Sequence, residues 1–479
     1  MSGRRESAVE TSLALLSPAD PRRPIAFRDG RAVALAEFQQ HVAAIAQRLP
    51  AHGAMLNLCE DRYRFIAAYA AALSIGHTVL LPPSRAEQVL NEVQSANVGS
   101  YRCDDAMVDA ALTLDHRTSA TPSLVAAERA GGPESRDSPS LERAYMDAPA
   151  GTSIRVPADQ IAMIGYTSGT TGQSKSYPKL WRSVSGSSAR NARAIRRALG
   201  ITGEATIPWI LATVPPQHMY GMELSVLLPL IGGMAVHAGR PLFPADIARA
   251  LEELPQPRVL VSTPLHLRAI VESTQQFPAT ALIVSATAPL DRALATAVER
   301  KLGGTLLEMF GSTETCVFAN RRTAVEDVWQ LYDDVQLSPQ PEGTLVDAPW
   351  FAEPILLQDI VELQEARRFV IRGRNTDMIE VAGKRASLAD LTRRLLAIEG
   401  VRDAVVFQPE QDTVATIRRV TALVVAPGCT ARAILDRYAP SVDPAFLPRP
   451  LLIVDSLPRN ELGKLPRDEL VKLVRELRR

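Results

Sequence analysis

The stretch that most restricts what this chain can become is an apolar run, Ile161-Ala162-Met163-Ile164, that empties into Gly165-Tyr166-Thr167-Ser168-Gly169-Thr170-Thr171-Gly172-Gln173-Ser174-Lys175. A strand that delivers a glycine-rich loop is the usual setting of a phosphate site. Glycine lets the backbone take positive φ and come close to a ligand. Successive N–H groups in such a turn form an anion nest. Thr167, Ser168, Thr170 and Thr171 add hydroxyl donors around Gly169 and Gly172, and Lys175 adds a full positive charge. Phosphate binding is therefore expected of residues 167–175, in preference to a plain surface loop.

Two kinds of site carry such a loop. In P-loop nucleotidases the pattern is G-x-x-x-x-G-K-[ST], and the lysine opens a long helix. Here Gly169 stands at the right spacing from Ser174-Lys175-Ser176, but the glycine before the lysine is missing. Pro178 would break the helix just past its first turn. A P-loop ATPase or kinase stays open on this stretch alone, and the rest of the chain has to decide.

The 479 residues give a prior of two to four domains and ample material for a core. Hydrophobic residues make up 46% and charged residues 22%, as in soluble globular proteins. Lys+Arg and Asp+Glu are 53 each, so no global field draws in nucleic acid or an anionic membrane. Cys59, Cys103, Cys316 and Cys429 are far apart, which suggests neither a zinc site nor a disulfide framework but reduced thiols in the cytoplasm. The most apolar window, Phe65 to Leu81, is interrupted by Gly76 and His77 and is short for a membrane span.

Along the chain, helical and extended periodicities alternate. Asp29-Gly30 marks a hairpin turn. Helices are expected over 35–49, 62–74 and 184–199, and strands over 55–59, 78–81, 210–214, 259–264 and 281–285. Such alternation predicts an α/β fold, with a largely parallel sheet and covering helices. Residues 129–160 read as a polar surface connection. The strand 210–214 empties into Pro215-Pro216-Gln217-His218-Met219-Tyr220-Gly221, which looks like a pocket wall. The strand 281–285 runs into Ala286-Thr287-Ala288-Pro289-Leu290, and a further strand into Phe310-Gly311-Ser312-Thr313-Glu314. Gln358-Asp359 follows, then Gly373-Arg374-Asn375-Thr376-Asp377-Met378-Ile379-Glu380-Val381-Ala382-Gly383-Lys384-Arg385. From Ala386 on, the order helix, strand, strand, helix, strand suggests a small α+β domain, closing on Pro458-Arg459-Asn460-Glu461-Leu462-Gly463-Lys464.

Taken in order, the segments Thr167–Lys175, Phe310–Glu314, Gly373–Arg385 and Pro458–Lys464 resemble the motifs of the adenylate-forming superfamily, which includes acyl- and aryl-CoA synthetases, stand-alone adenylation domains and luciferases. A P-loop accounts for only one of the four. Ser174, Gln358 and Asn460 stand where the family usually has proline, glycine and threonine, and the region 322–357 is short, so the resemblance is to a divergent branch.

The resemblance implies a large N-terminal domain of parallel and mixed sheets over residues 1–373, and a small mobile α+β domain over 374–479. It implies that Thr167, Ser168, Gly169, Thr170, Thr171, Gly172, Lys175, Asp359 and Arg374 bind nucleotide, Asp359 through the ribose hydroxyls. Thr313 would meet the α-phosphate and Glu314 would hold Mg²⁺. His218, Tyr220, Ser285, Ala286 and Gly311 would line the acyl pocket, with His218 also moving during the second half-reaction. Thr376 would be the hinge, Gly383 would lie on a pantetheine tunnel with Arg385 nearby, and Lys464 would catalyse the first half-reaction.

The implied activity is ATP-dependent conversion of a carboxylic acid, aromatic or of short to medium chain, to an acyl-adenylate and pyrophosphate. Transfer to the thiol of CoA or of an acyl carrier protein follows. The partners expected are the acid and that thiol acceptor, with no nucleic acid and no membrane span, in the cytoplasm. A non-catalytic adenylate-binding protein and a luciferase-like oxygenase are the rivals within the resemblance.

Overall fold

The computed structural model describes residues 11–17, 20–118, 154–167, 175–365, 367–374, 378–381, 384–409, 420–460, 463 and 465–477. Two large sheets organise residues up to 374. One has five strands, Tyr101–Cys103, Ala54–Asn57, Thr78–Leu81, Ile161–Thr167 and Lys175–Leu180, in that spatial order. The first four are mutually parallel, and the last runs antiparallel at the edge.

The other sheet has eleven strands. At its centre Pro24–Arg28, Ala235–His237, Trp209–Ala212, Arg258–Ser262, Leu282–Ser285 and Thr305–Ser312 are all parallel. Antiparallel strands close both flanks, including Cys316–Arg321 beside Thr305–Ser312 and the hairpin Asp359–Glu365 with Arg368–Arg374. The α/β expectation holds at the centre, and the flanks make the sheet mixed. The Asp29-Gly30 turn is as expected, with both residues at positive φ between the paired Arg28 and Arg31.

Strand alternation divides the large sheet's side chains between two cores. Ile210, Ala212, Val259, Val261, Leu282 and Val284 join a cluster with the helices Leu35–Ala46, Arg62–Ser74 and Trp181–Ala198. Leu211, Leu260, Ile283 and Leu306 pack instead under the helices Pro244–Glu253, Pro264–Glu272 and Arg292–Leu302. Beyond residue 374 a separate cluster runs from Ile379 to Leu451, with a small satellite around Leu423, Leu457 and Leu470. It is built on the strands Asp403–Phe407, Thr421–Val425 and Leu451–Ile453.

The region 322–357, read as poor in landmarks, contains a three-stranded antiparallel sheet, Gln336–Gln340, Gly343–Asp347 and Ile355–Leu357. Within the expected surface connection, Arg155–Pro157 is a strand paired with Ser12–Ala14, while residues 129–153 lie outside the described residues. No described helix is long and apolar enough to cross a membrane.

One buried cation fixes the geometry that leads to the site. Arg62, fully buried at the start of its helix, donates to the carbonyls of Ala212 at 2.9 Å and Val214 at 2.8 Å, and to the Ser225 hydroxyl. These carbonyls end the strand that feeds the His218 turn. Burial pushes the guanidinium's pKa down to about 9, and the hydrogen bonds to carbonyl dipoles offset part of that desolvation. Arg62→Leu should cost on the order of 1–3 kcal/mol for each carbonyl it abandons. Thermal melts should show that loss as a marked fall in midpoint.

Candidate active site

The phosphate loop joins two antiparallel neighbours. Ile161–Thr167 pairs with Lys175–Leu180, and Thr167 stands opposite Lys175. Ser168, Gly169, Thr170, Thr171 and Gly172 lie outside the described residues. The geometry removes the P-loop alternative. Lys175 and Ser176 open a strand, not a helix, and Pro178 pairs with Ile164 on an edge strand, where proline is tolerated.

Three segments far apart in sequence meet at Gly165, two residues before the loop. A Cβ built on Gly165 would lie 3.3 Å from Thr313 Cγ2 and 3.6 Å from Met219 Sδ. The loop-bearing strand, the His218 turn and the Thr313-Glu314 turn thus meet at this glycine, where an added methyl group would press lightly on Thr313.

The Thr313-Glu314 turn is the tip of a hairpin, not a helix N-terminus. Ser312 pairs with Cys316, and the register shifts at Phe310/Gly311. Gly311 lies so close to the Cys316 carbonyl that any side chain would strike it. The Ser312 hydroxyl accepts from the N–H groups of Glu314 and Thr315, each at 3.2 Å. Phe310 packs against Phe318, Trp329 and Phe369 and anchors the hairpin in the core.

Burial works against the Glu314 charge, but hydrogen bonds from the Ser312 hydroxyl, its own N–H and Tyr177, with the Lys179 charge, outweigh it. Its carboxyl is held below the ordinary 4.5. A half-buried, ionised carboxylate suits a hard cation. No group of three or more metal-ligating side chains occurs among the described residues. An ion at Glu314 would therefore complete its shell from substrate phosphates, as Mg²⁺ does.

His218 lies at the mouth of the tight turn 215–221. Gly221 presses on the Pro215 carbonyl, where no Cβ fits, and the His218 carbonyl accepts from Met222 N at 2.7 Å. Next comes a π-helical stretch, Met222–Leu227, a geometry enriched at functional sites. The Tyr220 hydroxyl donates to the carbonyls of Ser262 at 3.1 Å and Val284 at 2.9 Å, and so braces two strand ends.

Tyr220 and Ser285, both expected in the acyl pocket, lie near one another at the strand ends, since the Tyr220 hydroxyl bonds the carbonyl of Val284, the residue before Ser285. Tyr220 belongs to the core that includes Val284, whereas Ser285 alternates onto the face of Ile283. There Ser262, Ser285 and Glu308 stand side by side in register. Thr213 joins this row, bonded to Ser262 Oγ and His266 Nδ1, each at 3.0 Å. Ser285 Oγ is buried with no hydrogen-bond partner among the described residues. Ala286 is buried, and Thr287 holds φ at +82°, unusual for a β-branched residue.

Asp359, buried at the start of its strand, stands directly opposite Arg374. Nothing is described for the Arg374 and Arg385 side chains, and Thr376, Gly383 and Lys464 lie outside the described residues. The segment before Lys464 is anchored locally. Arg459 pairs with Asp403 at 2.6 and 2.8 Å and donates to the Gly463 carbonyl at 2.6 Å. A Cβ on Gly463 would lie 3.6 Å from the Leu265 Cβ, beside the end of the strand Arg258–Ser262.

Two buried charges here were missed. Lys179 donates its ammonium to the Glu314 carbonyl, and Glu223 accepts from Ser187 Oγ at 2.7 Å, Asn191 Nδ2 at 3.1 Å and the Val317 N–H. Each is a lone charge in an otherwise apolar or aromatic run, Tyr177 to Trp181 and Met219 to Ile231, and that pattern was the available signal.

A family model described as AMP-binding enzyme matches residues 17–346. The chain belongs to this AMP-binding family. A 4-coumarate–CoA ligase from Halorhodospira halophila is 28% identical over 315 residues, 62% of this chain and 73% of that protein. A salicylyl-CoA synthase / salicylate adenylyltransferase from Streptomyces sp is 24% identical over 88% of this chain and 84% of its own. A 3,4-dihydroxybenzoate–[aryl-carrier protein] ligase from Bacillus anthracis is 22% identical over 65% of this chain and 74% of its own length. Among solved structures, ATP-bound MatB from Rhodopseudomonas palustris superposes with a TM-score of 0.73 at 19% identity, covering 96% of this chain and 97% of the other. At that identity the likeness is one of fold.

Two outcomes test this geometry. Gly311→Ala should disrupt the hairpin tip, lowering both the melting temperature and pyrophosphate exchange. Because the Glu314 pKa is depressed, its stabilising contribution is present above the unfolded value of 4.5 and is lost as pH falls through the folded one. The stability gap between wild type and Glu314→Gln should therefore close between neutral pH and the acid range in melts at graded pH.

Proposed function

We propose that this member of the AMP-binding family is an ATP-dependent acid:thiol ligase. A carboxylate attacks the α-phosphorus of ATP, the bond to pyrophosphate breaks, and an acyl-adenylate forms. A pantetheine thiol then attacks the acyl carbon and releases AMP. The convergence of the loop-bearing strand, the Thr313 turn and the His218 turn at Gly165 supports this reading most directly. It brings the strand that leads into the phosphate loop against the His218 and Thr313 turns.

The chemical difficulty is that two anions must meet. The site has to hold them in line and neutralise charge building on the α-phosphate oxygens. In this reading residues 167–175 cradle the phosphates and Thr313 donates to the α-phosphate. Asp359 accepts both ribose hydroxyls, with Arg374 opposite it. Mg²⁺, when bound at Glu314, supplies further neutralisation of the phosphates. His218 borders the acid, and Lys464 bridges carboxylate and α-phosphate from the small domain.

The domain boundary goes with this mechanism. Residues 374–479 have hydrophobic clusters of their own, which supports a body that turns about Thr376. Gly463 beside Leu265 fits the pose in which the terminal loop faces the first half-reaction. Rotation withdraws Lys464 and brings Gly383 and Arg385 to a thiol tunnel, so that one site serves two reactions in turn.

The acid is read as aromatic, on the support of relatives named for 4-coumarate and salicylate. The acceptor is the thiol of CoA or of a carrier protein, since relatives of both kinds exist. Pyrophosphate exchange over a panel of aromatic and short-chain acids tests the first step. Mass spectrometry with CoA and with a phosphopantetheinylated carrier protein tests the second. Release of ADP in place of AMP would overturn the reading.

Lys464→Ala should lose on the order of 10²–10³ in adenylation rate, by analogy with loss of one oxyanion donor. Thiol transfer from pre-made acyl-adenylate should survive. Exchange at the wild-type rate in the variant would contradict the role.

A further inference from the structure

Lys179 and Glu223 belong to none of the motifs above, yet both are buried ionisable side chains at the convergence point. Lys179 sits four residues past Lys175, on the edge strand that returns from the phosphate loop. It reaches across to the Thr313-Glu314 turn and donates to the Glu314 carbonyl. Glu223 occupies the π-helical stretch just after the His218 turn. It fixes the other arm of the same hairpin by accepting from Val317 N at 3.0 and 3.1 Å. Its remaining partners, Ser187 and Asn191, project from the helix that follows Lys179. Asn191 is held in turn by the Tyr332 hydroxyl at 2.8 Å.

The three segments that meet at Gly165 are thus tied by polar bonds as well as packing. Burial raises the Glu223 pKa, with the Lys179 charge among the influences that oppose it, and the same charge helps hold the Glu314 carboxyl low. A buried charge with one hydrogen bond is costly unless an opposite charge lies near. Lys179 and the two glutamates supply that for one another.

We propose that Lys179 and Glu223 are positioning residues that hold the Thr313-Glu314 turn against the strand Lys175–Leu180, and that they thereby set the site's affinity for a divalent metal–ATP complex. This rests on the proposed function for its link to catalysis, but the binding part stands on the nucleotide site alone. Residues that orient a metal-holding group change affinity by about 10- to 100-fold when removed.

The experiment uses the full chain with Mn²⁺ and a non-hydrolysable ATP analogue, read by electron paramagnetic resonance, together with pyrophosphate exchange. Lys179→Met keeps the aliphatic stem and removes the charge. It should weaken Mn²⁺–nucleotide binding by about 10-fold or more and raise the KM for MgATP, with the KM for the acid little changed. Lys179→Arg, which keeps a cation and a donor, should recover most of the loss.

A Lys179→Met protein that melts lower but binds Mn²⁺–nucleotide like wild type would overturn the proposal, leaving a purely structural role. Should Lys179→Met not fold, Glu223→Gln decides. It keeps the shape while replacing the carboxyl that accepts from Val317 N, Ser187 and Asn191, and wild-type binding there is equally fatal. Wild-type enzyme that exchanges pyrophosphate with no acid would sink the ligase reading, and the Mn²⁺ titration would still report on the two residues.

Discussion

The contact on which the rest depends is the approach of Thr313 and Met219 to the bare backbone of Gly165. Every functional segment is anchored elsewhere in the fold, and this is where the anchors have to agree. The loop-bearing strand belongs to the five-stranded sheet, while the Thr313 turn belongs to the eleven-stranded one. The His218 turn hangs from a strand end fixed by Arg62. A methyl group at residue 165 would already press on the Thr313 side chain, at the point where the two sheets adjoin. Lys179 and Glu223 cross the same seam by hydrogen bond, so the alignment rests on directional bonds as well as close packing.

Much of the fold was legible because the elements obey local rules. The helix Arg62–Ser74 and the strand Thr78–Leu81 have the bounds expected from periodicity. The Asp29-Gly30 turn followed from its dipeptide. The helix Trp181–Ala198 begins three residues early, because Trp181 is drawn into the core. What stayed hidden was mostly long-range. Trp329–Leu331 is a strand because it has neighbours on both sides, and its sequence is too short to say so. The sheet over 336–357 carries weak alternation, with one largely exposed strand, Gln336–Gln340, beside the mostly buried Gly343–Asp347.

The site divides in the same way. Thr313, Glu314, Asp359 and the loop lysine are expected at the site because they stand in segments that follow the motif order of the family the chain resembles. Lys179 and Glu223 are not, since their meaning lies in which apolar surroundings close over them. The face taken by a strand residue was also out of reach. Ser285, for one, alternates onto the face of Ile283, beside Ser262 and Glu308. The helix-covered side consequently carries an in-register polar row, Thr213, Ser262, Ser285 and Glu308. Glu308 is closed off by its 2.8 Å ion pair with Arg321.

Thr287 carries a different kind of information. A β-branched residue at φ +82° holds conformational energy of about 1–3 kcal/mol, and the neighbouring buried Ala286 leaves little room to relax it. That energy is a permanent debit against the marginal stability of the whole chain. Glycine would relieve that strain but would also loosen the loop, so thermal tolerance and rigidity pull in opposite directions at this residue.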